Sequence, residues 1–278
     1  MQQRSVRRPA VAGAFYSDDQ RVLRADISRY LRDAPGEQVP GQVVGLISPH
    51  AGYIYSGGVA AAAYRQLAGA VYDHVVVIAP SHHVYFQGIS LYGDGDYLTP
   101  LGVVPVADDV VAQLQAENRS CHFMPQAHRQ EHALEVQLPF LQVMLPAFTL
   151  IPAIMGSQDW ETAMMIAETF AKVLAGRRVL LVASSDLSHY HTYDEATVLD
   201  GHIIAAVNDN DPRALWQTVK SGSAEACGAG PMIAVMMLAA RLGATAARVL
   251  QYQNSGDVSG DRGHVVGYMA AALFRQEE

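Results

Sequence analysis

The stretch QVVGLISPHAGYIYSGGVAAAAYRQL (42–67) places a buried strand, a histidine and an alanine-rich helix in direct succession. Residues 42–48 are mostly apolar and β-branched, which predicts a strand covered on both faces. The alanine-rich residues 59–67 predict a helix. Further buried strands are predicted over 74–79, 148–154 and 178–183, and helix-like stretches alternate with the strands along the chain. This alternation predicts an α/β fold, a three-layer αβα sandwich around a largely parallel or mixed central sheet.

The remaining pattern completes one continuous unit. Apolar periodicity predicts helices over 108–117, 158–175, 193–207, 211–220 and 231–242. Shorter or later strands are predicted over 86–92, 103–106, 246–252 and 264–272. A further helix starts near Glu131, and Pro139 is expected to kink or end it. Because no linker or low-complexity segment interrupts the chain, we expect a single domain over 1–278.

Composition narrows the class of protein. The chain has 278 residues, of which 50% are hydrophobic and 17% charged, and a net charge of −8. An acidic chain lacks the basic excess typical of nucleic-acid binding, and its longest apolar stretches are about half the roughly 20 residues of a membrane span. Two cysteines predict no disulfide framework. We therefore expect a cytoplasmic protein with neither nucleic acid nor a membrane as its partner.

Histidines collect where predicted strands end. His50 follows the strand at 42–48, His82 and His83 follow the strand at 74–79, and His189 follows the strand at 178–183 together with Asp186. Ligands of open α/β sheets bind beyond the carboxyl ends of the strands, where the loops converge. Clustered histidines are what a metal site or a proton-transfer site requires. The sequence therefore predicts such a site at this edge of the sheet.

Each of these residues also has a structural interpretation. His50 is a metal ligand or general base, or else a histidine satisfied by backbone groups. Adjacent histidines rarely point the same way, so we favour His82 over His83 as a ligand. Asp186 and His189 share one side if the segment forms a turn, and an Asp–His pair suits acid–base work. The alternative is that Asp186 caps a helix.

Two further motifs carry candidate chemistry. Cys227 precedes the helix at 231–242, where a helix dipole stabilises a thiolate, although cysteine is also a common buried apolar residue. Residues His128, Glu131 and His132 match the zinc-protease pattern H-x-x-E-H. That pattern binds zinc only on a continuous helix with a third ligand downstream, so we favour a supporting or substrate-facing role. Cys121 has no comparable setting.

Seven motifs together resemble the Memo family, in order and over nearly the whole chain: RPAVAGAFY (8–16), SPHAGYIYSGGVAAAAY (48–64), APSHH (79–83), HRQEHALEVQLPFLQ (128–142), SSDLSHY (184–190), CGAGP (227–231) and SGDVSGD (255–261). The resemblance implies a fold like that of the class III extradiol ring-cleaving dioxygenases. It also implies His50, His82 and Cys227 as metal ligands, with Asp186 and His189 in the same pocket.

The function expected from this resemblance is a metal-dependent oxidoreductase that acts on an unidentified small substrate. The expected metal is non-haem iron or copper, and zinc also suits the donors. His189 and Asp186 would handle the proton, and Tyr53, His83 and His132 would line the substrate pocket. A radical enzyme is the expected pathway partner. The alternatives are an inactive dioxygenase-like module that handles metal or binds a peptide, and a zinc hydrolase built on His128, Glu131 and His132.

Overall fold

A mixed sheet of nine strands runs through the molecule, in a computed structural model that describes residues 5–276. Its strands have the order β10-β12-β2-β9-β3-β8-β4-β7, and β11 also pairs with β12. A smaller sheet has the order β1-β5-β6. The strands are β1 (Val6–Arg7), β2 (Gly41–Ser48), β3 (His74–Pro80), β4 (Ile89–Leu91), β5 (Asp96–Thr99), β6 (Gly102–Val104), β7 (Cys121–His122), β8 (Thr149–Met155), β9 (Val179–Ser184), β10 (His189–His191), β11 (Ala246–Asn254) and β12 (Val265–Gln276).

Helices connect these strands and cover the sheet. They are α1 (Gln20–Asp33), α2 (Tyr53–Tyr64), α3 (Asp108–Glu117), α4 (Pro125–Arg129), α5 (Leu138–Met144), α6 (Trp160–Leu174), α7 (Tyr193–Asn208), α8 (Pro212–Lys220), α9 (Ala229–Arg241) and α10 (Gly256–Ser259). Short 3₁₀ turns span Arg65–Leu67 and Glu135–Gln137. Within residues 5–276, none of the helices is both long and apolar enough to cross a membrane.

The centre of the sheet is parallel and its margins are antiparallel. β2, β9, β3 and β8 pair in parallel, so their carboxyl ends lie at one edge. β12 pairs antiparallel with β2 on one side, and β4 pairs antiparallel with β8 on the other. The central strands are buried on both faces, as their apolar runs require. The predicted mixed sheet is confirmed.

Helices lie on both faces, which makes the predicted three-layer sandwich. On one face, α2 packs against β2, β11 and β12, and α1 packs on α2. On the other, α9 packs against β2, β9 and β3, and both α6 and α8 pack on α9. One cluster of buried apolar side chains extends between these layers. The organisation of 1–278 as a single domain stays a prediction, and residues 1–4 and 277–278 lie outside the described part.

Two sequence expectations need correction. The predicted helix over LEVQLPFLQ (134–142) is present but does not begin near Glu131: residues 130–134 form no helix, a 3₁₀ turn spans Glu135–Gln137, and α5 follows from Leu138. Pro139 lies in the first turn of α5, where proline's missing N–H costs no hydrogen bond, so it starts a helix rather than ending one. The structure also has a helix that the sequence analysis does not predict, α1. Asp19 caps it by accepting from the N–H groups of Arg21 and Val22.

Candidate metal centre

The carboxyl ends of the central strands bring the sequence-predicted residues together. His50 follows β2 by two residues, His82 follows β3 by two, and Asp186 follows β9 by two. β9 lies between β2 and β3 in the sheet, so the three loops are adjacent. The rings of His50 and His82 meet edge to face, with centroids 5.2 Å apart.

His50 is buried, and a hydroxyl fixes the position of its proton. Its Nδ1 lies 2.9 Å from Ser184 Oγ, at the end of β9. Ser184 Oγ donates its one proton to the Ala133 carbonyl at 2.6 Å and accepts from Gln137 Nε2 at 2.8 Å. A hydroxyl has one donor and two acceptor sites, so toward His50 it accepts. His50 Nδ1 therefore carries the proton, and its Nε2 presents a lone pair.

His82 is oriented by a carboxylate instead. Its Nδ1 lies 2.9 Å from Glu131 Oε1, and its backbone N–H donates to Glu131 Oε2 at 2.7 Å. Glu131 Oε1 also accepts from the Ala133 N–H at 2.9 Å. A carboxylate only accepts, so His82 Nδ1 carries the proton here too. The Nε2 lone pair of His82 is then free for a ligand, the arrangement that metal-binding histidines commonly show.

His132 completes a group of three. One ligand nitrogen each of His50, His82 and His132 lies within 4.8 Å of the other two. The His132 ring stacks on that of His82, with centroids 5.0 Å apart, and meets His50 edge to face at 5.5 Å. Nitrogens bound tetrahedrally to one ion are about 3.3 Å apart. Small side-chain rotations would bring the three donors to that spacing, so the residues fit a metal ion.

Cys227 and Asp186 also contact His50. Cys227 Sγ is 3.1 Å from His50 Nε2 and accepts from the Asp186 N–H at 3.3 Å. Asp186 is buried, and its Oδ1 accepts from the His50 backbone N–H at 2.7 Å. Cys227 is not one of the three residues of the histidine group, and its role as a metal ligand stays a prediction.

The electrostatics of the site differ from residue to residue. Burial lowers the pKa of His50 to about 3 and that of His132 to about 4. Burial opposes a charge on His82 as well, but its hydrogen bond to Glu131 and that carboxylate's charge outweigh the effect and raise the pKa of His82. Burial raises the pKa of Asp186 to about 6. Burial, together with the Asp186 charge, raises the pKa of the Cys227 thiol, opposite to the stabilised thiolate considered from sequence.

Burial works against the Glu131 carboxylate too, yet its hydrogen bonds prevail. The bonds from His82, the charge of that ring and the backbone N–H of Ala133 lower the pKa of Glu131 to about 2. Glu131 is therefore ionised at neutral pH and favours the protonated form of His82, which must lose its Nε2 proton before that nitrogen can bind a metal, whereas His50 stays neutral.

The structure does not bring His128 and His132 together, as the zinc-protease pattern H-x-x-E-H requires. His128 is buried, with Nε2 at 3.0 Å from Ser90 Oγ and Nδ1 at 3.0 Å from Tyr97 Oη, and it does not belong to the group of three histidines. The chain leaves helical geometry after Arg129, so His128 and His132 do not share a helix face. The zinc hydrolase built on His128, Glu131 and His132 loses its geometric basis.

The other predicted site residues have mixed positions. Tyr53 is buried, and its hydroxyl donates to the Val136 carbonyl at 2.6 Å. His83 is exposed beside His82. His189 lies in β10 and is close enough to lower the pKa of Asp186 electrostatically, but no hydrogen bond joins the two within residues 5–276. Residues 185–188 form no helical turn, so the predicted i, i+3 pairing is absent.

Sequence reasoning missed the residues that orient the rings of His50 and His82. The sequence does not single out Ser184 or Gln137, and it favours a supporting or substrate-facing role for the motif that contains Glu131 without naming His82 as its partner. The available signal was position: Ser184 ends the strand that lies beside β2 in the sheet. A polar residue at that point faces the same edge as His50.

The fold and site define a class: an α/β sandwich with a histidine-rich candidate metal centre at the carboxyl ends of its central strands. Residues 7–272 match the family described as Memo-like protein. A MEMO1 family protein of Methanothermobacter thermautotrophicus, MTH_45, is 36% identical over 275 residues, covering 95% of this chain and 98% of its own. One from Methanosarcina acetivorans is 37% identical over 272 residues, covering 95% and 98%. The chain belongs to the Memo family.

The fold has a counterpart among solved structures. The uncharacterized protein JW3007 from Escherichia coli K12 superposes with a TM-score of 0.52 at 12% identity, over 84% of this chain and 100% of that one. At this identity the likeness concerns the fold alone.

Proposed function

We propose that this protein is a metal-dependent oxidoreductase that holds one non-haem iron or copper ion and acts on a small substrate. His50 and His82 are the two nitrogen ligands, Cys227 is the third ligand, and His132 flanks them on the substrate side. When bound, the ion supplies redox and Lewis-acid chemistry. The observation that carries the proposal is the contact of Cys227 Sγ with His50 Nε2 at 3.1 Å, beside a group in which ring nitrogens of His50, His82 and His132 lie within 4.8 Å of one another.

The side chains around the ring nitrogens support this proposal. His50 Nδ1 donates to Ser184 and His82 Nδ1 donates to Glu131, so both Nε2 atoms are available. Two ligands of one tetrahedral ion, a nitrogen and a sulfur, lie about 3.6 Å apart. The separation of 3.1 Å between His50 Nε2 and Cys227 Sγ is close to that value. Two imidazoles and a thiolate suit iron, copper or zinc.

Asp186 is proposed to hold the proton of the reaction, supported by His189. Its carboxyl is buried, and burial raises its pKa to about 6, close to neutral pH, where a proton-transfer group works best. The Asp186 Oδ1 bond to the His50 N–H fixes the carboxyl beside the ligands. Asp186 also borders Cys227 through its own N–H, so the thiol and the carboxyl share one wall of the site.

The test is metal content after anaerobic purification, measured by elemental mass spectrometry. The variants are His50→Ala, Cys227→Ser and His132→Ala, with His202→Ala on α7 as the control because His202 is exposed and its Nδ1 bonds the Ser223 carbonyl. We expect about one equivalent of iron or copper in the wild type and the control. His50→Ala and Cys227→Ser should lose it, and His132→Ala should retain it.

Two other results would change the assignment. Loss in His132→Ala with retention in Cys227→Ser would replace the cysteine by a third histidine ligand. Wild-type protein that contains no metal, and takes up neither iron nor copper on reconstitution, would overturn the proposal. A dioxygenase-like module that binds a partner peptide would then be the better account.

A further inference from the structure

An arginine from the first strand is buried against the segment that carries the histidine partners. Arg7, in β1, is only 7% exposed. Its Nε donates to the His128 carbonyl at 2.8 Å, and its Nη2 donates to the Glu131 carbonyl at 2.6 Å. Its Nη1 donates to Glu135 Oε2 at 2.6 Å. One guanidinium thus holds the segment 128–135 at three points.

The held segment connects the two ligand histidines. Ala133 donates its N–H to Glu131, the carboxylate that orients His82. The carbonyl of the same residue accepts from Ser184, the hydroxyl that orients His50. A displacement of the Ala133 peptide would therefore disturb the partners of both rings. Residues 130–134 form no helix, so the position of this peptide depends on contacts from other parts of the chain.

The segment 128–135 in turn holds the N-terminal segment, through the side chain of Glu135. Glu135 is fully buried and accepts from the N–H groups of Ala10 and Val11, at 2.7 and 3.1 Å, and from Tyr16 Oη at 2.5 Å. The N-terminal segment is thereby fixed to the same turn that Arg7 holds. It also brings the Phe15 ring to 4.9 Å from that of His132.

We propose that Arg7 is a positioning residue of the metal centre. It acts through the backbone of 128–135 and fixes the proton on Nδ1 of both His50 and His82, so that both Nε2 atoms face the ligand. That the site binds a metal rests on the proposed function, whereas the tautomers of His50 and His82 are a property of the metal-free protein. Lysine is a poor substitute, because a single ammonium group lacks the planar set of donors that reaches three separated acceptors.

The experiment compares Arg7→Lys with Arg8→Lys, since Arg8 is the exposed neighbour on the same segment. Protein labelled with ¹⁵N-histidine reports the tautomer of each ring by NMR without metal, and Zn²⁺ affinity is measured by competition with a chromophoric chelator. In Arg7→Lys we expect mixed tautomers for His50 and His82 and a loss of Zn²⁺ affinity of about 10- to 100-fold. Arg8→Lys should stay within about twofold of the wild type.

A second variant covers the case in which Arg7→Lys does not fold. Tyr16→Phe removes one of the hydrogen bonds that Glu135 accepts and leaves its carboxylate paired with Arg7, so it should fold and show a smaller shift toward mixed tautomers. Wild-type tautomers and Zn²⁺ affinity in every folded variant would overturn the proposal. Mixed tautomers in Arg7→Lys alongside a wild type that binds no metal would uphold the positioning role and reject the proposed function.

Discussion

His50 and His82 each follow a parallel strand of the sheet by two residues, β2 and β3 with β9 between them, yet their surroundings differ in charge. His50 is 2% exposed and bonds a neutral hydroxyl, whereas the His82 side chain is 29% exposed and bonds a carboxylate. Burial lowers the pKa of His50 to about 3, and Glu131 raises that of His82 against the effect of burial. Two candidate ligands of the same type are thus oriented by two different partners, a neutral hydroxyl and an ionised carboxylate.

The hydroxyl and the carboxylate lose their stabilising effect under different conditions. A hydroxyl that serves three partners leaves all three unpaired when it is removed, whatever the pH. A charged pair depends on the protonation of both members. The two sites therefore respond differently to substitution and to acid, and the following predictions use that difference.

The largest effect is expected for Ser184→Ala. The change leaves the Ala133 carbonyl, Gln137 Nε2 and His50 Nδ1 without the bonds that Ser184 gives them in a fully buried site. At about 1–3 kcal/mol for each unpaired group, partly relieved by relaxation, we expect a loss of about 3–4 kcal/mol in the free energy of unfolding. Urea denaturation of the metal-free protein measures it, and the loss should be nearly constant between pH 5 and 8.

Ser28→Ala is the control, because Ser28 is exposed on α1 and its hydroxyl donates to the Arg24 carbonyl of the same helix. It should change the free energy of unfolding by less than about 0.5 kcal/mol. A loss below 1 kcal/mol for Ser184→Ala would show that the hydroxyl does not hold these three groups.

Glu131→Gln should cost less, about 2–3 kcal/mol, and the cost should depend on pH. The pKa of Glu131 is lowered from 4.5 to about 2, so its contribution is present above about pH 4.5 and lost as the pH falls toward 2. The pKa of His82 is raised above 6.5, so its contribution is present below 6.5 and lost as the pH rises through the folded value. The difference from wild type should therefore be largest between about pH 4.5 and 6.5.

Urea unfolding of the metal-free protein at pH 3, 5.5 and 8 checks this profile. Glu117→Gln serves as the control, since Glu117 pairs with Lys172 at an exposed surface and should contribute below about 1 kcal/mol. A cost that is equal at the three pH values would mean that Glu131 acts as a hydrogen-bond acceptor only, and the contrast with Ser184 would disappear.

The sequence predicts the strand-end histidines well and their partners poorly. Buried β-branched runs identify β2, β3 and β9 almost residue by residue, and the chain order then places His50 and His82 at one edge. The pairing of His82 with Glu131 spans 49 residues, and that of His50 with Ser184 spans 134. Such pairs depend on tertiary packing, which local patterns do not encode.

The segment 130–134 shows the limit more sharply. Its apolar and acidic residues suggest a helix beginning at Glu131, but Glu131 turns its carboxylate to His82 and Arg7 takes the backbone carbonyl. Tertiary contacts outweigh helix propensity here, since propensity differences are below about 1 kcal/mol per residue. The position of His132 beside His50 and His82 follows from that irregular backbone, so the group of three was beyond local prediction.

The smallest effect is expected for Tyr64→Phe, which reaches His50 only through two intermediates. The Tyr64 hydroxyl donates to Gln137 Oε1 at 2.7 Å, and Gln137 Nε2 donates in turn to Ser184 and to the Pro49 carbonyl at 2.9 Å. Removing it leaves one buried acceptor unpaired, so we expect a loss of about 1 kcal/mol in the free energy of unfolding. Gln137 stays held by its two donated bonds, so the His50 tautomer and Zn²⁺ affinity should change less than about threefold.

Tyr53→Phe is the matched control, because its buried hydroxyl donates to the Val136 carbonyl and has no bond to Gln137. Both variants should lose similar stability, and both should leave the ¹⁵N signals of His82 unchanged. Mixed tautomers at His50 in Tyr64→Phe alone would show that the neutral chain from Tyr64 to Ser184 transmits proton position over its whole length. The position of the His50 proton would then depend on a residue as distant as Tyr64, whereas the pairing of His82 with Glu131 depends on pH.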